Sequence, residues 1–159
     1  MMPQNQLTGT LKKFLMSGEK ILITGGAGNI GSYLVPFLQN TGYDIYVLTR
    51  NSKEYNMLPK VNVIEADITY SKDLYKKLDF DFEYCIHLAS YNEYFLDSYA
   101  EKALEINTLG TRNLLNALSK KNLKNFIYFS TVHVYGLVEG NIDENTSINP
   151  KNAYASTHL

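Results

Sequence analysis

The sequence predicts an α/β fold built on a doubly wound parallel sheet. Three observations predict it. Short apolar runs recur along the chain, most are followed by a stretch with helical spacing, and the first run stops at a glycine-rich turn that opens a helix. Strands separated by helices pair in parallel and carry those helices on both faces.

The elements follow in order. Residues 1–18 read as a leader. Leu7, Leu11, Phe14 and Leu15 have helical spacing and Gly18 suits a helix end, so a short amphipathic helix competes there with a frayed, loosely docked segment. The domain proper spans 19–159. Residues 21–24 form a run apolar enough for a strand buried on both faces. Residues 29–39 predict a helix with Ile30, Leu34, Phe37 and Leu38 on its apolar side, Pro36 as an internal flaw and Gly42 as a stop. Strands are expected over 44–48 and 61–65, then a short helix over 71–78 capped by Ser71. A fourth strand over 83–88 precedes a long helical stretch, 93–120, carrying Tyr99, Ala103, Ile106, Leu114 and Leu118, with Gly110 interrupting it. A fifth strand covers 125–129. A polar loop follows Gly136, and Tyr154 opens a last helix. The sequence stops at Leu159, barely one turn into that helix, so a longer design is expected.

Composition narrows the function classes. The 159 residues suit one domain, with 45% apolar and 19% charged residues and a net charge of -1. No global charge draws this chain to nucleic acid or an anionic membrane. The lone Cys85 cannot close an internal disulfide and is expected inside a strand. No apolar run approaches a membrane span, and the first twenty residues lack the parts of a signal peptide, so the cytoplasm is the expected location. His87, His133 and His158 lack local metal-ligand spacing, and no metal is expected. His87 reads as a packed or cofactor-lining residue. Lys120, Lys121 and Lys124 read as a solvated helix end.

The turn after the first strand carries the chemistry. Gly25, Gly28 and Gly31 stand in a GxxGxxG spacing, with Asn29 and Ile30 between the last two. Gly25 permits the turn, Gly28 keeps a side chain away from a diphosphate, and Gly31 lets helix and strand pack closely. A helix N-terminus offers unpaired N–H groups and roughly +0.5 of a charge, a seat for the diphosphate of a dinucleotide. This is the Rossmann-like arrangement, in strand-turn-helix context. The end of the second strand should read the adenosine ribose. It reads Thr49-Arg50-Asn51-Ser52, with no carboxylate. Arg50 can pair with a 2′-phosphate, which favours NADP slightly over NAD. Alternatively Arg50 is solvated and the backbone or Asn51 holds the ribose.

Taken together, the motifs resemble the extended short-chain dehydrogenase/reductase family, the NAD-dependent epimerases and dehydratases of nucleotide sugars. The resemblance runs from Lys20 to Leu159. Residues 24–31, TGGAGNIG, look like the family's TGGxGxxG. Asp67, between Ala66 and Ile68, matches its acidic motif after the third strand, and the resemblance implies that Asp67 contacts the adenine amino group, with Ile68 beside it. His87-Leu88-Ala89-Ser90 resembles HLAA, a cofactor lining. Asn107 with Gly110-Thr111 resembles NxxGT. Ser130 and Thr131 begin a stretch similar to SS-x-x-VYG, and Glu144, Pro150 and Tyr154 fit the approach to the catalytic helix. The resemblance implies further strands and a substrate lobe after residue 159, so the fold is expected to be truncated before that lobe. It also makes a homodimer compatible and a nucleotide sugar the substrate.

Elementary chemistry agrees. A hydroxyl just beyond the fifth strand, Thr131 or failing it Ser130, can donate to a substrate oxygen. A tyrosine opening the adjacent helix can act as general acid or base; the resemblance implies that Tyr154 takes a proton from a sugar hydroxyl while hydride moves to the nicotinamide. The family motif is Tyr-x-x-x-Lys, and here His158 stands where lysine is expected. A free tyrosine titrates near ~10 and must fall toward neutrality to serve as a base. A lysine charge about 6 Å away, at an effective dielectric of about 20, supplies on the order of 3 kcal/mol toward that. Histidine supplies it only when protonated. Three roles fit His158: a substitute that holds the ribose while the positive nicotinamide provides the field, a mark of a weakened or specialised catalyst, or a loss of function. Two functions therefore stand side by side. One is the N-terminal cofactor-binding portion of a nucleotide-sugar epimerase, dehydratase or reductase. The other is a non-catalytic dinucleotide-binding fragment or inactive remnant.

Overall fold

A computed structural model describes residues 18–55, 60–92 and 99–159. The expected leader helix lies in residues 1–17, outside the described residues. The chain divides into two compact units whose segments interleave along the sequence. The first holds the described residues up to Glu65, with Phe80–Leu88 and Lys121–Ile127; the second holds Ala66–Asp79, Ala89–Lys120 and Tyr128–Leu159.

The first unit is built on the sheet. Its strands are β1 (Lys20–Thr24), β2 (Asp44–Thr49), β3 (Val61–Glu65), β4 (Tyr84–His87) and β5 (Asn125–Tyr128), whose last residue is counted with the second unit. Their order is β3-β2-β1-β4-β5. β1 pairs in parallel with β2 and with β4, and β2 with β3. The order reverses direction beside β1, and in open parallel sheets ligands bind beyond the carboxyl ends of the strands at such a point. β1 is central, which is why Ile21 to Thr24 are all buried. β3 is an edge strand and stays largely open to solvent. On one face Ile21, Ile23, Val35, Ile45, Val47 and Tyr55 form the core. Tyr46, Phe80 and Phe82 make an aromatic cluster, with ring centres 4.9 to 5.4 Å apart.

Helix α1 (Gly31–Leu38) crosses the first face. It starts two residues later than expected and runs through Pro36. Its apolar side is the expected one only in part: Leu38 packs against the core and Leu34 is half-buried. Gly31 and Val35 are its buried residues, while Ile30 just before it is 51% exposed and Phe37 69%. The helix is seated by its smallest residue against the glycine turn, and that leaves Ile30 and Phe37 on the outer side. Lys124 is solvated as expected but lies beyond the helix end, and its ammonium pairs with the Glu19 carboxylate and lies over the Tyr84 ring.

The second unit is helical. α2 (Ser71–Lys77) begins as expected, but Ser71 is not its cap. Tyr70 holds that position, and the turn before it is organised by Asp67, whose Oδ1 accepts from the Thr69 amide and hydroxyl, both at 2.9 Å. The long helix comprises α3 (Ala100–Ala103), a π-helical segment (Leu104–Gly110) and α4 (Thr111–Leu118). Its expected first residues, 93–98, lie outside the described residues. Gly110 does not interrupt it. The chain stays helical by widening its turn, and the Thr111 hydroxyl donates to the Asn107 carbonyl. Ala103, Asn107, Gly110, Leu114, Ala117 and Leu118 are its buried residues, spaced three or four apart as one helix face requires. A 3₁₀ turn (Val132–Tyr135) follows β5, and α5 (Ala153–Ser156) closes the chain, capped by Asn152, whose side chain accepts from the Ala155 amide at 2.8 Å.

Candidate functional site

The sequence-predicted residues fall into two groups, one on each unit. On the first unit lies the glycine turn. Gly25 has φ +68, a conformation that glycine adopts without strain, and the Gly28 amide donates to its carbonyl at 3.0 Å. Close approach explains the helix start: a Cβ on Gly31 would collide with the Gly25 and Gly26 backbone. Gly26 was not singled out in the sequence, yet a Cβ there would stand 2.6 Å from the Tyr55 hydroxyl and 3.0 Å from Val47. Its only signal is the doubling of glycine after Thr24. Asn29 and Ile30 are exposed on the turn. No side chain caps the N-terminus of α1, and no acidic residue lies in its first turn. The uncapped helix N-terminus is electropositive, a polarity that suits an anion.

At the ends of the neighbouring strands, Thr24 and His87 are paired residues of β1 and β4. Their side chains meet, Oγ1 to Nδ1 at 2.5 Å, and both are buried. His87 is thus a packed residue, also flanked by the Phe126 ring. Leu88 follows it, half-buried, its amide donating to the Thr24 carbonyl at 3.2 Å. Arg50 is exposed beyond β2. The sequence reading found no carboxylate there. The structure brings one from the next strand: Glu65 stands in register with Thr49 and accepts the Ser52 amide at 3.2 Å. Only strand pairing joins residues this far apart, so no local signal revealed it. Cys85 is buried as expected, and burial pushes its thiol pKa up.

On the second unit, Asp67 is half-buried in its turn and Ile68 is 6% exposed against Gly110. Asn113 holds this turn from the long helix, its carboxamide donating to the Ile68 carbonyl at 3.0 Å and the Thr69 carbonyl at 3.3 Å. Ala89 is half-buried and Ser90 exposed. Asn107 is buried and already heavily bonded. It accepts the Tyr91 amide at 2.7 Å and donates to the Tyr91 carbonyl and the Thr157 hydroxyl, both at 3.0 Å. These bonds tie the segment after Ser90 to the last helix.

Tyr154, Thr131, Ser130 and His158 complete the second group. Thr131 is extended and its hydroxyl accepts the His133 amide at 3.3 Å, capping the 3₁₀ turn. The Ser130 hydroxyl donates to the His158 carbonyl at 3.0 Å. Tyr154 is half-buried between two imidazoles, with ring centres 4.4 Å from His158 and 5.9 Å from His133. His158 is 3% exposed, and its Nδ1 lies 2.7 Å from the Tyr154 carbonyl. A carbonyl only accepts, so Nδ1 carries the proton. Burial pushes the His158 pKa below its ordinary value, and the bond to the Tyr154 carbonyl pulls it only partly back. Burial also raises the pKa of Tyr128, with the charge of Tyr154 adding to the rise, and the Tyr128 ring stacks on His158. At neutral pH the residue one turn beyond Tyr154 is a neutral imidazole.

Residues 21–159 match the family model described as the NAD dependent epimerase/dehydratase family. A dTDP-D-glucose 4,6-dehydratase of Dictyostelium discoideum is 35% identical, over 82% of this chain and 33% of its own length. The solved UDP-Glc/GlcNAc 4-epimerase of Campylobacter jejuni superposes with a TM-score of 0.82 at 26% identity, over 89% of this chain and 46% of its own. The Bordetella bronchiseptica enzyme WbmG, solved in complex with NAD and UDP, has a TM-score of 0.75 at 27% identity, over 87% of this chain and 46% of its own. The chain spans less than half the length of the curated relatives it matches.

Proposed function

The chain belongs to the NAD dependent epimerase/dehydratase family, and on that premise we propose that it is the cofactor-binding portion of an enzyme that epimerises, dehydrates or reduces a nucleotide sugar. The observation that carries the reading is the α1 N-terminus, which no side chain caps, behind a turn whose Gly31 tolerates no side chain. That cradle fits the diphosphate of NAD or NADP. Asn29, Ile30 and Gly31 would hold it through main-chain amides, with Gly25 and Gly28 shaping the turn beneath it. Asp67 and Ile68 would meet the adenine, and Leu88, Ala89 and Ser90 would line the remainder. Arg50 taken alone supports NADP. When bound, the nicotinamide accepts and returns hydride.

The remaining chemistry belongs to the chain. Tyr154 takes a proton from a sugar hydroxyl and later returns it. Thr131 donates to the same sugar oxygen, because Ser130 is engaged in holding the His158 carbonyl. Asn107 acts by position: its bonds to Tyr91 and Thr157 fix the lining and the catalytic helix together. His158 supplies no charge while neutral. With Nδ1 committed to the Tyr154 carbonyl, its Nε2 is an acceptor suited to a ribose hydroxyl. The neutral state of His158 also favours a second reading, a dinucleotide-binding module without turnover.

Binding and turnover separate the two. Calorimetric titration with NAD and NADP should show binding by the chain and its loss in Gly31→Val. Undiminished binding by that variant would remove the cradle from the account. In a chain extended to the length of its relatives and loaded with the dinucleotide, UDP- or dTDP-sugars should be converted to epimerised, dehydrated or reduced products, and His158→Lys should raise the rate near neutral pH. Clean cofactor binding without turnover in either form favours the binding module.

A further inference from the structure

Tyr154 is flanked by two imidazoles in different surroundings. His158, on the same helical turn, is buried, with Nδ1 donating to the Tyr154 carbonyl. His133 comes from the 3₁₀ turn (Val132–Tyr135), which packs on α5. It is exposed, and its ring meets the Tyr154 ring edge-on, with centres 5.9 Å apart. Its amide donates to the Thr131 hydroxyl at 3.3 Å. One residue thus meets both groups that face the sugar oxygen in the reading above: its backbone holds Thr131 and its side chain borders Tyr154. Other ionisable groups surround the pair. Tyr128 comes from β5 and Tyr135 from the turn itself. α3 also packs on α5 and brings Glu101 and Lys102, both exposed. Lys151 passes the end of the turn, its stem beside Gly136.

We infer that His133 is a positioning residue of this site: protonated, it favours the phenolate of Tyr154 and takes the part of the cation that position 158 does not supply. The inference rests on the enzymatic reading above and deepens it. A phenol removes a proton only as its phenolate, which a nearby positive charge stabilises. Histidine is the side chain that gains such a charge near neutral pH. Charging His158 would strip water from a cation, whereas the His133 ring stays in water. Lys102 is drawn elsewhere, its ammonium 4.9 Å from the Tyr91 ring centre, and Glu101 opposes its sign. Only one proton moves in the step, from the sugar hydroxyl to the Tyr154 oxygen; His133 keeps its own. The charge acts across 5.9 Å between ring centres. At a dielectric near that of water, this changes the phenolate fraction on the order of threefold.

The test follows position 133 through pH. In the extended, dinucleotide-loaded chain, His133→Gln should lower kcat about threefold near about pH 6 and leave KM unchanged. The loss should vanish near about pH 9, where an imidazole is neutral. His133→Lys should restore the rate on the acid side and exceed the wild type on the alkaline side. Lys151→Met should leave the profile as it is. The 159-residue chain itself gives a second readout. Carbon-13 tyrosine NMR, with Tyr154→Phe assigning the signal, should show Tyr154 ionising about half a pH unit lower in His133→Lys than in the wild type. That titration carries the test even where His133→Gln does not fold. A kcat insensitive to position 133, a loss equal at every pH, the same loss in Lys151→Met or an unmoved Tyr154 titration overturns the inference and leaves the enzymatic reading standing. Turnover in no form of the extended chain overturns that reading, and the inference with it.

Discussion

At position 158 the imidazole is buried, donates to the Tyr154 carbonyl and stacks near Tyr128. The sequence showed the substitution for lysine and left its charge open. Burial decides it, because removing the ring from water disfavours the imidazolium. Stability should follow. The unfolded histidine titrates near about 6.5, and the folded one lies lower. The unfolded chain therefore binds the proton first, so His158 contributes stability above about 6.5 that is lost as pH falls toward the folded value. Thermal melts from about pH 8 to pH 5 should show the midpoint falling on the acid side, and His158→Gln should flatten that part of the fall. An unchanged profile in the variant would place the acid sensitivity elsewhere.

Among the elements, the long helix departs most from its sequence reading. Glycine was expected to break it. Instead Gly110 is buried against Ile68, and the π-helical segment carries the chain through. Such widened turns are frequent at functional sites. Here the segment contains Asn107, which grips Tyr91 and Thr157. One turn on, Asn113 holds the carbonyls behind Asp67. The helix thus holds both the Asp67 turn and the last helix. Leu114 lies in its buried face and is fully buried. Leu114→Ala should cost about 2–5 kcal/mol, read as a lowered urea midpoint with an unchanged slope. A loss well under about 1 kcal/mol would mean that this face carries little of the packing.

For the whole molecule, a ligand that binds only the folded state stabilises it by mass action, about 2.7 kcal/mol at a hundredfold excess over Kd. The preferred dinucleotide should raise the melting midpoint accordingly. No rise at saturation would contradict the cradle. The strands, their alternation with helices and the glycine spacing were legible in the sequence, because apolar runs and glycine punctuation are local consequences of backbone geometry. Motif order also marked Tyr154, Thr131 and the His158 position as the residues to test. Five parallel strands and membership of the family agree with that reading. The direction α1 faces, the continuity of the long helix, the ion pair of Lys124 and the charge state of His158 were not legible. Each depends on what another element brings against it. The same holds for Glu65, which lies sixteen residues from Thr49 along the chain and beside it across the sheet. Sequence by itself determined the kinds of elements and the chemistry available at their ends. Only the tertiary structure decided which groups are dry, which are paired and which charges stand next to one another, because burial and electrostatic contact are properties of distance in space.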